Sequence, residues 1–501
     1  MLKWIKKQLA LTWAKIHQKQ VAKAGQQAAQ HQEALLLQMV KTAEKTLFGR
    51  VHHFENIKTI QDFQKQVPIT DYEGLKPYID KMKRGQAHIL WTGTPEYFAK
   101  TSGTTSGAKY IPISKEGMPF QIQAARSALL HYIAQKNNAN FVNGKMIFLQ
   151  GSPELEEVYG IKTGRLSGIV AHHIPHYLQK NRLPSYATNC IDDWETKIHK
   201  IADETEHEDM RLISGIPPWL IMYFEILVER HGKPIKALFP NLQLIVTGGV
   251  NYGPYRKKME QLLGGAVDIV QTFPASEGFF AFQDDISKEG LLLLAQHGIF
   301  YEFVPLAEFG KPNAPCLTLK EIELHQDYAM IITTNSGLWR YAIGDVVRFI
   351  SKNPYRILVS GRTKHYTSAF GEHVIAYEVE EAIKRAIAKH PAQITEFHLA
   401  PQVTPAHQEL PYHEWLIEFQ QPPADLKAFA ATLDQEMKSL NTYYDDLIQG
   451  KVLQPLKITP LKKNAFHHYA KSEGKLGGQN KIPRLANDRT IAEFLETQRL
   501  D

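Results

Sequence analysis

Three short apolar runs constrain the fold of this chain more than any other feature. They are K-M-I-F-L-Q-G-S-P from Lys145, L-Q-L-I-V-T-G-G-V from Leu242 and A-V-D-I-V-Q-T-F-P from Ala266. Each ends in Gly, Pro or Ser, as a buried strand feeding a loop should. Between the first two lies W-L-I-M-Y-F-E-I-L-V-E-R-H-G, a helical pattern expected to stop at Gly232. Strands alternating with helices call for α/β layering. From about Gly298 the pattern changes to consecutive strands: G-I-F-Y-E-F-V-P-L, A-M-I-I-T-T-N, D-V-V-R-F-I and R-I-L-V-S-G-R, ending at Gly361 and Arg362.

Residues 1 to about 95 read mostly helical, with a turn near Pro68. Past Arg362 come a helix (A-Y-E-V-E-E-A-I-K-R-A-I-A-K-H), strands near Ile394 and Trp415, and a helix near Leu426. At 501 residues the chain exceeds what one core supports. The expectation is an α/β protein in two parts: a large domain over 1–362, with mixed sheets and a β-rich portion, and a smaller α+β domain over 363–501. The smaller domain is expected to be mobile about a hinge near 361–370.

Composition narrows the function classes. Hydrophobic content of 43% and charged content of 22% are ordinary for a soluble enzyme. A net charge of +6 without an arginine-rich stripe argues against nucleic acid. Cys190 and Cys316 stand far apart and outside any CxxC pattern, which favours a reducing, cytoplasmic setting. No apolar run approaches the roughly 18 residues of a membrane-spanning helix. The first 32 residues carry Lys3, Lys6, Lys7, Lys15, Lys19 and Lys23 and no acidic residue, with Leu2, Ile5, Leu9, Trp13 and Ile16 at helical spacing. A membrane-surface helix has this composition, but so does a helix docked on its own protein, and the stripe is expected to dock on the core.

Residues 101–109 read T-S-G-T-T-S-G-A-K. Glycines remove bulk so that backbone N–H groups converge on phosphate oxygens, and Thr101, Ser102, Thr104, Thr105 and Ser106 add hydroxyl donors. The loop is not a Walker A motif, because three residues separate Gly103 from Gly107 and Ala108 precedes Lys109. Two further stretches follow in order. T-F-P-A-S-E-G, Thr272 to Gly278, closes a strand with a ring suited to adenine and a carboxylate suited to Mg²⁺. L-W-R-Y-A-I-G-D-V-V-R-F places Asp345 beside Gly344, a pairing suited to ribose hydroxyls. Each stretch alone reads equally well as a strand end or hairpin; together and in this order they indicate nucleotide chemistry.

These motifs, with G-R-T-K-H-Y-T-S-A-F-G-E-H-V and the terminal N-K-I-P-R, resemble the plant auxin-inducible acyl-acid-amido synthetases (the Gretchen Hagen family) and their bacterial relatives. The resemblance spans nearly the whole chain. It implies the adenylate-forming superfamily: a carboxylate attacks the α-phosphate of ATP, pyrophosphate leaves, and an amine attacks the acyl-adenylate, with Mg²⁺ assisting. By position it implies that Ser102, Gly103, Thr104, Thr105 and Ser106 hold phosphates. Thr272, Phe273 and Ser276 border the nucleotide, Glu277 serves Mg²⁺, Asp345 binds ribose and Lys481 meets the α-phosphate, with Lys475 as a competing candidate. Two positions depart from the family pattern. Phe273 stands for a tyrosine, and Ala342 stands where plant members usually carry arginine. Whether Arg340 compensates is left open by the sequence.

The partners expected are a small carboxylic acid and an amine or amino acid, with no nucleic acid and no membrane span, for a monomer. An acyl-CoA ligase shares the first half-reaction, and a nucleotide-binding protein without catalysis is a third reading. Of the other signals, A-H-H-I-P-H (His172, His173, His176) lacks zinc-protease spacing, and no G-x-S-x-G elbow occurs.

Overall fold

The structure is a computed structural model. It describes all residues except 1, 103–107, 175–178, 192, 250–251, 364–365, 368–373, 404, 406–408, 450–452, 475–481, 487–488 and 501, and for a few more it describes the backbone alone. The chain divides into two compact units. One comprises Met1–Ile343 with Val347–Val359, and the other Gly344–Val346 with Ser360–Asp501.

In the first unit the apolar runs become strands of an eleven-stranded sheet. Arg182–Leu183, Lys145–Phe148, Met210–Gly215, Leu244–Gly248 and Asp268–Ala275 lie side by side in parallel. Gly278–Phe282, Leu291–Leu293 and Tyr355–Arg362 continue the sheet antiparallel, and Tyr341–Lys352, Asp327–Thr334 and Ile299–Pro305 complete it. The parallel half meets the antiparallel half at the hairpin joining Ala275 to Gly278.

Strand alternation sends neighbouring side chains to opposite faces. Ile213 and Ile245 face a cluster with Leu220, Tyr223 and Phe224 of the helix Pro217–His231, which ends at Gly232 as expected. Leu212, Leu244 and Val270 face the other way, toward Ala124, Ala128 and Tyr132 of the helix Met118–Lys136. Buried on both faces, these strands read as continuous apolar runs rather than as alternating patterns.

The first helix, Leu2–Gln26, corrects one expectation. Leu9, Trp13 and Ile16 do not dock: they are 66%, 44% and 50% exposed. Leu11 and Ala14, with Val21, pack instead into the cluster around Ala124 and Ala128. Periodicity finds an apolar stripe, but this helix has two, and the one with Ala14 at its centre packs against the alanines of the neighbouring helix.

The second unit has the antiparallel strands Gln393–Gln402 and Tyr412–Gln421, with Lys457–Leu461 parallel to the latter. Helices Ala376–Lys389 and Leu426–Leu440 cover them around Phe397, Trp415 and Phe429.

Candidate active site

The loop at 101–109 is the turn of a hairpin. Tyr97–Ser102 pairs antiparallel with Ala108–Ile113, with Ser102 opposite Ala108. Gly103, Thr104, Thr105, Ser106 and Gly107 form the connection and lie outside the described residues; for Ser102 the backbone alone is described. The base of the hairpin is firmly held. The Tyr110 N–H donates to the Tyr72 hydroxyl at 2.9 Å, and the Lys83 ammonium sits 3.7 Å from the centre of the Tyr110 ring.

The second motif sits where the sheet changes direction. Asp268–Ala275 turns into Gly278–Phe282 through Ser276 and Glu277 alone, so a half-buried carboxylate stands at the tip of a tight hairpin. Gly248, at the end of the neighbouring parallel strand, lies opposite Thr272. A Cβ there would fall 2.4 Å from the Thr272 carbonyl oxygen, so only glycine permits this approach. The Thr272 hydroxyl donates to the Thr247 carbonyl at 3.1 Å, binding the two strand ends together. Phe273 is 8% exposed, with its ring edge-on to Phe280 at 5.0 Å between centroids. The expected open stacking face is therefore revised: Phe273 is a core brace beneath the hairpin, because the inward positions of this strand close the apolar cluster.

The third motif splits into a structural half and a polar half. Trp339 is fully buried among Phe48, Phe54, Phe63 and Trp91, and its indole N–H donates to the Leu90 carbonyl at 2.9 Å. Arg340 is 4% exposed with φ 41°, a left-handed backbone that a long side chain rarely adopts. Its guanidinium pairs with Glu302 at 3.0 Å and donates to the Gln64 and Val67 carbonyls at 2.9 and 2.7 Å. Every one of these contacts faces the interior, so Arg340 does not stand in for the family arginine at Ala342. Ala342 itself packs against Val304 and Ile331. Asp345 follows Gly344, whose φ of 87° again requires glycine and whose carbonyl accepts the Thr363 N–H at 2.7 Å. Asp345 is half-buried.

Tertiary contacts bring the motifs of the first unit together. Ser114, one residue past the first hairpin, donates its N–H to the Ser336 hydroxyl oxygen (3.0 Å) and its own hydroxyl to the Asn335 carbonyl (2.8 Å). Gln121 donates to the Ala275 carbonyl at 3.4 Å. A cleft results, lined by Ile113, Gln121, Ser276, Glu277, His297 and Asn335. It opens at the carboxyl ends of the parallel strands, where open α/β sheets bind ligands. A separate cleft, lined by Arg211, Lys236 and Asp268, opens at the opposite ends of the same strands and holds none of the motif residues.

The buried polar groups with no partner among the described residues include the Thr247 hydroxyl and His297 Nδ1. Burial pushes His297 down to about 4, so it is neutral at pH 7. No sequence motif marks His297; it reaches the cleft only because the turn before Ile299 folds against Phe120. The half-buried Glu277 carboxylate and the Ser276 hydroxyl at the hairpin tip are both oxygen donors, which suit a hard cation and a polyphosphate rather than a soft metal.

Lys481 and Lys475 lie outside the described residues. The chain just after Lys481 is anchored. Arg484 pairs with Glu396 at 2.8 Å and Glu380 at 3.1 Å, while Leu399 N–H donates to the Arg484 carbonyl at 2.8 Å. Of the histidine group, His172 Nε2 lies 2.8 Å from the Pro153 carbonyl and His173 Nε2 3.0 Å from the Tyr97 hydroxyl, while His176 is outside the described residues. No metal-binding cluster occurs among the described residues.

Comparison with known proteins gives matches along most of the chain. Residues 17–185 match the GH3 family N-terminal domain, 292–362 its central domain and 377–490 its C-terminal domain. An indole-3-acetic acid-amido synthetase of Arabidopsis thaliana, GH3.3, is 25% identical over 53% of this chain and 47% of its own length, so here the chain spans about half of the relative. A probable indole-3-acetic acid-amido synthetase of the same plant, GH3.1, is 23% identical over 93% of this chain and 90% of its own length. The solved structure of the GH3.15 acyl acid amido synthetase superposes with a TM-score of 0.78 at 17% identity, covering 94% of each chain. That likeness shows the fold.

Proposed function

We propose that this chain, which belongs to the GH3 family of acyl acid amido synthetases within the adenylate-forming superfamily, uses ATP to join a carboxylic acid to an amino acid or related amine. The observation that carries the reading is the convergence of the first hairpin, the Ser276–Glu277 tip and the Asn335–Ser336 turn on one cleft.

The substrate carboxylate attacks the α-phosphorus of ATP, a new oxygen–phosphorus bond forms, and pyrophosphate leaves with the electron pair of the bond that breaks. The amine then attacks the acyl carbon, and AMP leaves. In this reading Ser102, Gly103, Thr104, Thr105 and Ser106 hold the phosphates by backbone N–H and hydroxyl donors. Thr272 and Ser276 border the nucleotide, with Phe273 bracing the strand from below. Asp345 accepts hydrogen bonds from the ribose hydroxyls. Glu277, with its hard oxygen ligands, would hold Mg²⁺, and that ion supplies charge neutralisation on the phosphate oxygens. Lys481 neutralises charge that builds at the α-phosphate; Lys475 is the competing assignment.

Pyrophosphate release from ATP is expected only with a suitable carboxylic acid and Mg²⁺ present, and amide product only when an amino acid is added. ADP as product would defeat the adenylation reading. Thioester formed from CoA in place of amide would assign the chain the chemistry of an acyl-CoA ligase. Comparing Lys481→Ala with Lys475→Ala on ATP plus acid identifies the lysine of the first half-reaction.

A further inference from the structure

The helix Leu2–Gln26 has two apolar faces, and among the described residues only one packs into an apolar cluster. Leu11, Ala14 and Val21 pack toward the helix Met118–Lys136, where His17 Nε2 lies 2.8 Å from the Ser127 hydroxyl. Leu9, Trp13 and Ile16, spaced to share one face, are 66%, 44% and 50% exposed. Leu2 and Ile5 continue the same spacing in the sequence. The exposed Lys15, Lys19 and Lys23 accompany this ridge, and the Arg126 guanidinium lies 5.2 Å from the Trp13 ring centre. No acidic residue occurs before Glu33.

An apolar ridge with cationic margins suits the boundary between lipid headgroups and acyl chains. Leucine and isoleucine enter the hydrocarbon, tryptophan sits at the headgroup level, and lysines meet phosphate while their stems lie along the apolar surface. We propose that this outer face of the first helix seats the protein on an anionic lipid surface. No helix among the described residues is long and apolar enough to cross a membrane, so the attachment is peripheral. Charge argues against a second copy as the occupant: two such faces brought together would oppose lysines with no carboxylate in residues 1–32 to pair with them. Shape argues the same way, since a convex single-helix ridge needs a yielding or concave partner, and lipid yields.

The test uses the full chain with phosphatidylcholine vesicles, with and without phosphatidylglycerol. Co-sedimentation is expected with the anionic vesicles alone, and it weakens as salt screens the lysines. The triple variant Leu9→Gln, Trp13→Gln, Ile16→Gln should lose about tenfold or more in vesicle binding while melting like the parent, because its sites are exposed. Removing Lys15, Lys19 or Lys23 should cost about fivefold each. Leu11→Gln should lower the melting temperature, which distinguishes the two faces. The proposal is overturned by absence of binding to anionic vesicles, or by binding that the triple variant retains. It is also overturned by a dimer in light scattering that the triple variant dissolves, or by soluble polyglutamate binding as tightly as the vesicles.

Discussion

Glu277 and Glu302 belong to the same sheet and differ in how deeply they are buried. Glu302 is 1% exposed and fully engaged: Arg340 pairs with it at 3.0 Å, and the Gln64 amide and Cys316 thiol donate to its other oxygen at 2.9 and 3.2 Å. Glu277 stands half-buried on a two-residue turn at the lip of a cleft. The difference is one of backbone placement. A carboxylate in mid-strand, buried on both sides, must be neutralised on the spot, whereas one at a hairpin tip keeps a solvent side from which a ligand can approach. The Glu302–Arg340 pair therefore reads as architecture. It also holds Arg340 in its left-handed backbone, strain that surrounding structure must sustain.

Removing one partner of the buried pair is the hardest test of this contrast. Arg340→Met leaves Glu302 charged and unpaired and should destabilise by about 3–5 kcal/mol, read by denaturant unfolding. The double variant Arg340→Met, Glu302→Gln should recover part of that loss. If Arg340→Met instead keeps its stability and abolishes ATP turnover, Arg340 is a site residue after all. Glu277→Gln should behave oppositely, lowering pyrophosphate release on the order of 10²–10³-fold with an unchanged melting temperature. A comparable loss of stability would place Glu277 with Glu302.

His297 gives a third case, a cleft residue kept neutral by burial. Its folded value of about 4 lies below the ordinary 6.5. The unfolded chain binds the proton first, so stability declines as pH falls from about 6.5 toward 4, by roughly 3 kcal/mol for the full shift. Unfolding of His297→Gln at neutral and mildly acidic pH should show a shallower decline. Part of it should persist, because burial also lowers His17 and His131. An undiminished decline would assign the acid sensitivity elsewhere. The smallest effect is expected at Asp345. Asp345→Ala should weaken ATP binding about tenfold by calorimetry through loss of charge-assisted bonds to ribose. If 2′,3′-dideoxy-ATP is still bound less tightly than ATP by the variant, some other residue reads the sugar.

Linear signals marked much of the candidate site. The hairpin flanks of T-S-G-T-T-S-G-A-K, the strand before Ala275–Gly278 and the Gly344–Asp345 step are local patterns whose glycines mark close approach or left-handed backbone, and these are legible without tertiary contacts. Within those same motifs, the side chains behaved less predictably. Phe273 and Trp339 look alike as aromatic motif residues, and both prove to be core. The sequence left open whether Arg340 compensates for Ala342, and Arg340 proves to be half of a buried ion pair. His297 entered the cleft with no sequence signal at all.

The sequence by itself determined the elements and their order: helices first, then buried strands alternating with helices, then consecutive strands, then a small α+β unit. It did so because burial on two faces, helical period and turn residues are properties of neighbours along the chain. Tertiary structure alone decided which of two apolar stripes on the first helix packed on the core, which glutamate was buried against an arginine and which lay at the lip of the cleft, and that Ile113, Ser276 and Asn335 would share that cleft. Those outcomes depend on what lies across a packed interface, and residues hundreds of positions apart supply it.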